Sequence, residues 1–262
     1  MNPTTDDQVA STNPAPIRKA ATILLLRQGG SGVEVFMVQR PGRGIFPNLH
    51  VFPGGKVDEA DDGLEHLCEG LDDALASTQL GVPGGGLRYW VTAIRECFEE
   101  CGVLLAYRNH RPFEASGDGE RARFDGHRHT LAARDDSLAA MARREGLRLA
   151  TDKVFYFSHW ITPPTAPARF DTRFFVAAMP EGQRAVGHSG ETVAGTWVRP
   201  SDALANFDAG RWQMIHPTLT TLRTASRFDT VADALAAVAA RRHLGEVTAT
   251  LHEQGMQHVG DA

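Results

Sequence analysis

Phe52-Pro53-Gly54-Gly55-Lys56-Val57-Asp58 and Arg95-Glu96-Cys97-Phe98-Glu99-Glu100-Cys101-Gly102-Val103 are the two ends of the stretch around which the chain is organised. The second end reads as a helix. At about 100° per residue, Glu99 and Glu100 fall within about 60° of Glu96 on one side. Val91, Ile94, Phe98 and Cys101 cluster on the other. One face can therefore pack on a sheet while the other carries three carboxylates. Like charges at these spacings repel by roughly 0.2–0.5 kcal/mol per pair. A solvated acidic face is the plain reading, and a hard divalent cation held by oxygen ligands is the functional one.

The first end supplies a break. Leu49 to Phe52 is predicted as a strand that Pro53-Gly54-Gly55 interrupts, and glycine permits close backbone approach there. Together the two ends resemble the box of the Nudix hydrolases. Arg95 to Val103 fills the helical pattern Arg-Glu-apolar-x-Glu-Glu-x-Gly-apolar, and Gly55 followed by Asp61 is similar to its opening loop. Two departures stand out. Asp61 replaces the usual Glu, and 33 residues, Asp62 to Ile94, separate it from Arg95 where the family keeps the two close. A box split in this way resembles the acyl-CoA diphosphatase branch. Val38-Gln39-Arg40-Pro41, Phe46 to Gly55 and Trp160 to Phe175 resemble that branch too.

The resemblance implies an α/β (α+β) fold. It is a Nudix-type α/β/α sandwich with a mixed central sheet, plus a helical insertion and C-terminal helices. It implies Mg²⁺ or Mn²⁺ held by Glu96, Glu99 and Glu100 with Gly55, and Glu99, Glu96 or Glu191 as the general base; spacing does not choose among these three. Arg95, Gly102 and Asp61 are expected to support the box structurally. Arg40, Arg43 and Arg173 are the candidates for a substrate phosphate, since Arg binds phosphate bidentately. The implied substrate is CoA or an acyl-CoA, split into 3′,5′-ADP and (acyl-)4′-phosphopantetheine. The alternatives are another nucleoside diphosphate derivative (ADP-ribose, NADH, a nucleotide sugar) or a non-catalytic nucleotide-binding module.

Composition narrows the field further. The 262-residue chain has 42% hydrophobic residues, enough for a sizeable core, and a net charge of −5. It has no global basic field or basic stripe for nucleic acid. Cys68, Cys97 and Cys101 make no disulfide framework and no zinc set, so they are read as core residues, and reduced thiols suit the cytoplasm. No apolar run approaches the ~20 residues of a membrane span. Residues 1–17 are polar and read as a disordered tail without a signal-peptide core. The C-terminal Gly260-Asp261-Ala262 is not a Ser-Lys-Leu address.

Residues 18–208 are expected to form the hydrolase domain, with insertions at 62–87 and 109–150, and 209–262 a C-terminal helical extension. Strands are predicted at Ala20–Arg27, Val33–Gln39, Val103–Tyr107, Val154–Ile161, Thr172–Ala178 and Gly195–Val198. Helices are predicted at Leu64–Leu75, Thr130–Arg144, Asp202–Phe207 capped by Ser201, His216–Ser226 and Thr230–His243. Asn109–Arg121 reads as loop. The Ala-rich last helix reads as a packing or homodimer element. The 62–87 insertion either borders the pocket or is inert surface, and the sequence leaves both open.

Overall fold

The computed structural model describes residues 16–42, 47–164, 166, 168–187 and 194–241. Its strands are β1 (Ile17–Gly29), β2 (Gly32–Gln39), β3 (His50–Val51) and β4 (Gly54–Lys56), then β5 (Ala106–Arg108) and β6 (Arg111–Pro112). After these come β7 (Leu147–Leu149), β8 (Phe155–Ile161), β9 (Arg169–Ala178) and β10 (Ala194–Val198). The helices are α1 (Asp73–Leu80), α2 (Leu87–Cys101), α3 (Gly117–Ala132), α4 (Leu138–Glu145), α5 (Pro200–Asp208), α6 (His216–Ala225) and α7 (Val231–Ala239).

β1 organises the sheet. Its apolar run, Ala20 to Leu26, has no period-two alternation because both faces are covered. The main order is β10-β2-β1-β9-β8, with β1 and β9 parallel and the other pairs antiparallel. β1 and β2 hydrogen-bond only near their shared turn, from Leu26↔Val35 to Gly29↔Gly32. Beyond it they part, and residues 50–56 wedge between them. β3 takes up the edge of β2 and β4 that of β1, with Ile23 N–H donating to the Pro53 carbonyl at 2.9 Å. The break expected at Pro53-Gly54-Gly55 is thus a crossing from one strand to the other, and Gly54 and Gly55 lie in β4.

Ala21, Ile23, Leu25, Phe36, Val38 and Phe175 face α2, with Val91, Ile94, Cys97 and Cys101 packed on them. Leu24, Leu26, Val35, Met37, Phe174 and Val176 face α5, α6 and α7 through Ala203, Leu219, Leu222, Ala234 and Val238. The layers are helix, sheet, helix, as expected. Cys68, Cys97 and Cys101 are buried free thiols. Among the described residues no helix is long and apolar enough to cross a membrane.

Several element boundaries differ from expectation. Leu64–Leu75 is not one helix. Gly70 has φ 80°, and Asp72 then caps a new helix by accepting from Leu75 N at 2.7 Å. Thr130–Arg144 is likewise two pieces: α3 starts back at Gly117, inside the expected loop, and Ser137 caps α4. The cap of α5 is Arg199 with Pro200 in the first turn; Ser201 already lies inside the helix. Leu64, Leu67, Cys68, Ala76, Leu80 and Leu87 of the 62–87 insertion are buried in the α2-side core, so the segment is not inert surface.

Candidate active site

α2 is buried over nearly its whole length. The carboxylate face is largely shielded from water: Arg95, Glu96, Glu99 and Glu100 are 7–8% exposed. α3 packs beside α2 with Phe124 against Phe98 on the apolar side, and its Arg128 grips the end of α2. Arg128 Nε donates to the Glu99 carbonyl at 2.9 Å and Nη2 to the Val186 carbonyl at 2.7 Å. A cation thus sits at the negative end of the helix dipole. Gly102 closes α2 with φ 71° and an N–H donated to the Phe98 carbonyl, a C-terminal turn that favours glycine.

The glycine bend meets this face. Gly54 N–H donates to Glu100 Oε2 at 3.0 Å. A side chain on Gly55 would overlap the Glu96 carboxylate, so only glycine leaves that carboxylate room. The 33 residues from Asp62 to Ile94 loop away and return without separating the two ends.

Arg95 binds the groups together. Its Nε and Nη2 form a fork on Asp61 at 2.8 and 2.9 Å, and Nη2 also reaches the Lys56 carbonyl at 2.9 Å. Nη1 donates to Glu96 Oε1 at 2.8 Å and to both Glu99 oxygens at 3.3 Å. Asp61 is itself over-determined. It accepts from Thr92 Oγ1 at 2.8 Å and from Asp58 N–H at 3.0 Å. Asp58 reciprocates by accepting from Ala60 N–H, so Asp58 and Asp61 form a capping box on one 3₁₀ turn. The shorter Asp reaches Arg95 because that turn carries it forward.

Four carboxylates, those of Asp61, Glu96, Glu99 and Glu100, stand against the one guanidinium of Arg95, and the imbalance appears in the titration. Burial pushes the Glu96 carboxyl up to about 7; Arg95 opposes this and Glu99 adds to it. Burial alone would lower the Arg95 pKa, but the Asp61 hydrogen bonds and the charges of Glu96, Asp61 and Glu99 leave it raised.

A hard cation matches this donor set, which is all carboxylate oxygen with excess negative charge and a glycine cradle beside it. Among the described residues no three acids, His or Cys already converge as a cage. Glu96 and Glu99 turn to Arg95 Nη1, and Glu100 turns to Gly54.

The remaining candidates are scattered. Arg173 is buried against the Tyr89 ring, 5.7 Å away, with Asp171 at 3.8 Å. Its Nε and Nη1 have no hydrogen-bond partner, and its described contacts include none of the acids on α2. Arg40 is half-buried beside β3, its N–H donated to the Leu49 carbonyl. Arg43 and Glu191 lie outside the described residues. The sequence reading gave no role to Thr92, Arg128 or Asp58. The Asp-x-x-Asp spacing of a capping box was a usable signal for Asp58 only.

Residues 71–224 match the family model described as the NUDT19 Nudix domain. The chain belongs to the Nudix hydrolase family. The Nudix match takes in α2 and starts after Asp61, so the bend joins the box through contacts already described. A chicken protein named acyl-coenzyme A diphosphatase NUDT19 is 26% identical over 258 residues, which cover 84% of this chain and 67% of that protein. Its human namesake is 26% identical over 252 residues, covering 77% and 63%. The chain therefore spans about two thirds of the length of these relatives. The crystal structure of a NUDIX hydrolase from Alicyclobacillus acidocaldarius superposes with a TM-score of 0.71 at 26% identity, covering 85% of this chain and 96% of that one. The mixed sheet between helical layers is the Nudix fold.

Proposed function

We propose that the chain is a divalent-metal-dependent diphosphatase acting on CoA or acyl-CoA, with residues 18–208 as the hydrolase unit and 209–262 as a helical extension. The products are 3′,5′-ADP and (acyl-)4′-phosphopantetheine. The observation that carries the reading is the docking of Gly54 and Gly55 on Glu100 and Glu96, which gathers an over-charged oxygen site from two distant stretches. The substrate class rests on the relatives named acyl-coenzyme A diphosphatase.

Glu96, Glu99 and Glu100, with the backbone at Gly55, would hold Mg²⁺ or Mn²⁺. A bound divalent ion supplies charge neutralisation for the diphosphate and a lowered pKa for water. The protein's own work is separable from that. Asp61 fixes Arg95, and Arg95 fixes the rotamers of Glu96 and Glu99, so the carboxylates are held before substrate arrives. One of Glu99, Glu96 or Glu191 takes the proton from the attacking water; of these, Glu96 has its carboxyl pushed up by burial to about 7.

The test is a panel of CoA, ADP-ribose, NADH and a diadenosine polyphosphate, assayed with Mg²⁺ and with Mn²⁺. Preferred cleavage of CoA or acyl-CoA is expected. Preference for ADP-ribose would replace the CoA reading, and tight binding with no turnover of any member would favour a binding module.

A further inference from the structure

A groove of about 340 Å³ opens beside the acid cluster, within the size range of small-molecule sites. One wall is the 3₁₀ turn with Asp58 and Asp61, the floor is Arg95 and Glu99, and the other wall is the α3–α4 connection from Leu131 to Leu138. An anionic diphosphate meets carboxylates on every side. Among the described lining residues the cations are Arg95 and Arg134. Arg95 is buried and already forked on Asp61. Arg134 is not: its side chain is 69% exposed and reaches across the groove to Asp58 Oδ2 at 2.6 Å.

The backbone of Arg134 is informative. Asp135 N–H donates to the Thr130 carbonyl and Arg134 N–H to the Leu131 carbonyl, both at 2.9 Å, which closes α3 in a Schellman turn. Arg134 holds the left-handed position with φ 61°, where α1, α2 and α4 each place a glycine and α7 places Arg241 at φ 55°. A long side chain there strains a position that glycine fills without cost, and such strain accumulates at functional sites.

We infer that Arg134 is a substrate-positioning residue, a cation carried by the 109–150 insertion that leaves Asp58 to bind a phosphate oxygen of the diphosphate. This rests on the diphosphatase reading. The Asp58 pair is exposed and contributes little to stability, so it is no obstacle to the exchange. A phosphate offers the guanidinium two acceptor oxygens and more charge than one carboxylate. Asp136 does not compete, since it pairs with Arg144 and accepts from Ser137 N–H.

The test compares wild type, Arg134→Gln, Arg134→Gly and Asp58→Asn. Affinity for methylenediphosphonate, a diphosphate mimic that resists hydrolysis, is read by calorimetry with Mg²⁺ present, and thermal unfolding is read alongside. Both Arg134 variants are expected to bind about tenfold more weakly. Arg134→Gly is expected to unfold no earlier than wild type, because glycine relieves the left-handed residue. Asp58→Asn keeps the Ala60 cap but drops the competing charge, so its affinity is expected to rise. Equal affinities in all four proteins would overturn the inference, as would a loss of stability in Arg134→Gly and Asp58→Asn with no change in affinity. Binding is read without turnover, so the two proposals fail separately. An inert substrate panel with the affinity differences intact would sink the hydrolase reading alone, and turnover with equal affinities would sink this one alone.

Discussion

At the scale of single residues the site turns on Asp61. It neutralises a buried guanidinium that otherwise faces only Glu96 and Glu99, and it is 2% exposed. Without the Asp61 carboxylate, Arg95 still faces Glu96 and Glu99, but its Nε and Nη2 lose their charged hydrogen-bond acceptor, at a cost of roughly 1–3 kcal/mol. Asp61→Asn should therefore lower unfolding stability by about that much in urea denaturation, and an unchanged midpoint would remove Asp61 from its supporting role. Glu96 makes the opposite kind of statement. Its carboxyl titrates near 7 when folded and near 4.5 in its ordinary state. The folded chain thus holds the extra proton between those values, and stability falls as pH rises through that window. In EDTA, denaturation at pH 5 and pH 8 should show the protein weaker at pH 8. Glu96→Gln should flatten that slope. Glu99→Gln and Glu100→Gln, by contrast, should lower kcat by orders of magnitude with unchanged circular dichroism; near-wild-type turnover in both would contradict their assignment.

At the scale of elements, α2 is usable only because its ends and its acidic side are covered. Gly102 turns the chain back at a left-handed position, so Gly102→Ala should cost on the order of 1 kcal/mol. Gly55→Ala tests the bend differently. Its new methyl meets the far end of the Glu96 side chain, which can shift, so the fold should survive while activity drops sharply. A Gly55→Ala enzyme with full kcat would show that Glu96 need not sit against the bend. α2 was legible because its periodicity is strong and its cap is a glycine. α3 was not, because Gly117, Gly119 and Gly126 and a polar surface hide a helix whose partners are distant: Phe124 against Phe113 and Arg128 against the end of α2. The split of Thr130–Arg144 escaped for a related reason. Arg134 ends α3 with a residue that carries no stop signal of its own.

At the scale of the whole molecule, the C-terminal helices complete the second face of the sheet. Trp212 stacks on His50 at 4.1 Å with the rings nearly parallel, and His50 N–H donates to the Gln213 carbonyl at 2.8 Å, so the extension also braces β3 at the entrance to the bend. Truncation after Asp208 would bare Leu24, Leu26, Phe174 and Val176, and should give a product that binds a hydrophobic dye and loses cooperative unfolding. A soluble, cooperatively folding 1–208 fragment would show that the helices are an accessory. The sequence by itself determined the long strands of the central sheet but not β4, together with the helix with its three acids and the glycine bend, because period, charge spacing and backbone freedom are local properties. Only the tertiary structure decided that the acidic face is buried, that Asp61 stands beside Arg95 across 33 intervening residues and that Arg134 overhangs the groove. Those are contacts between segments far apart in the chain, and no local preference encodes which of them meet.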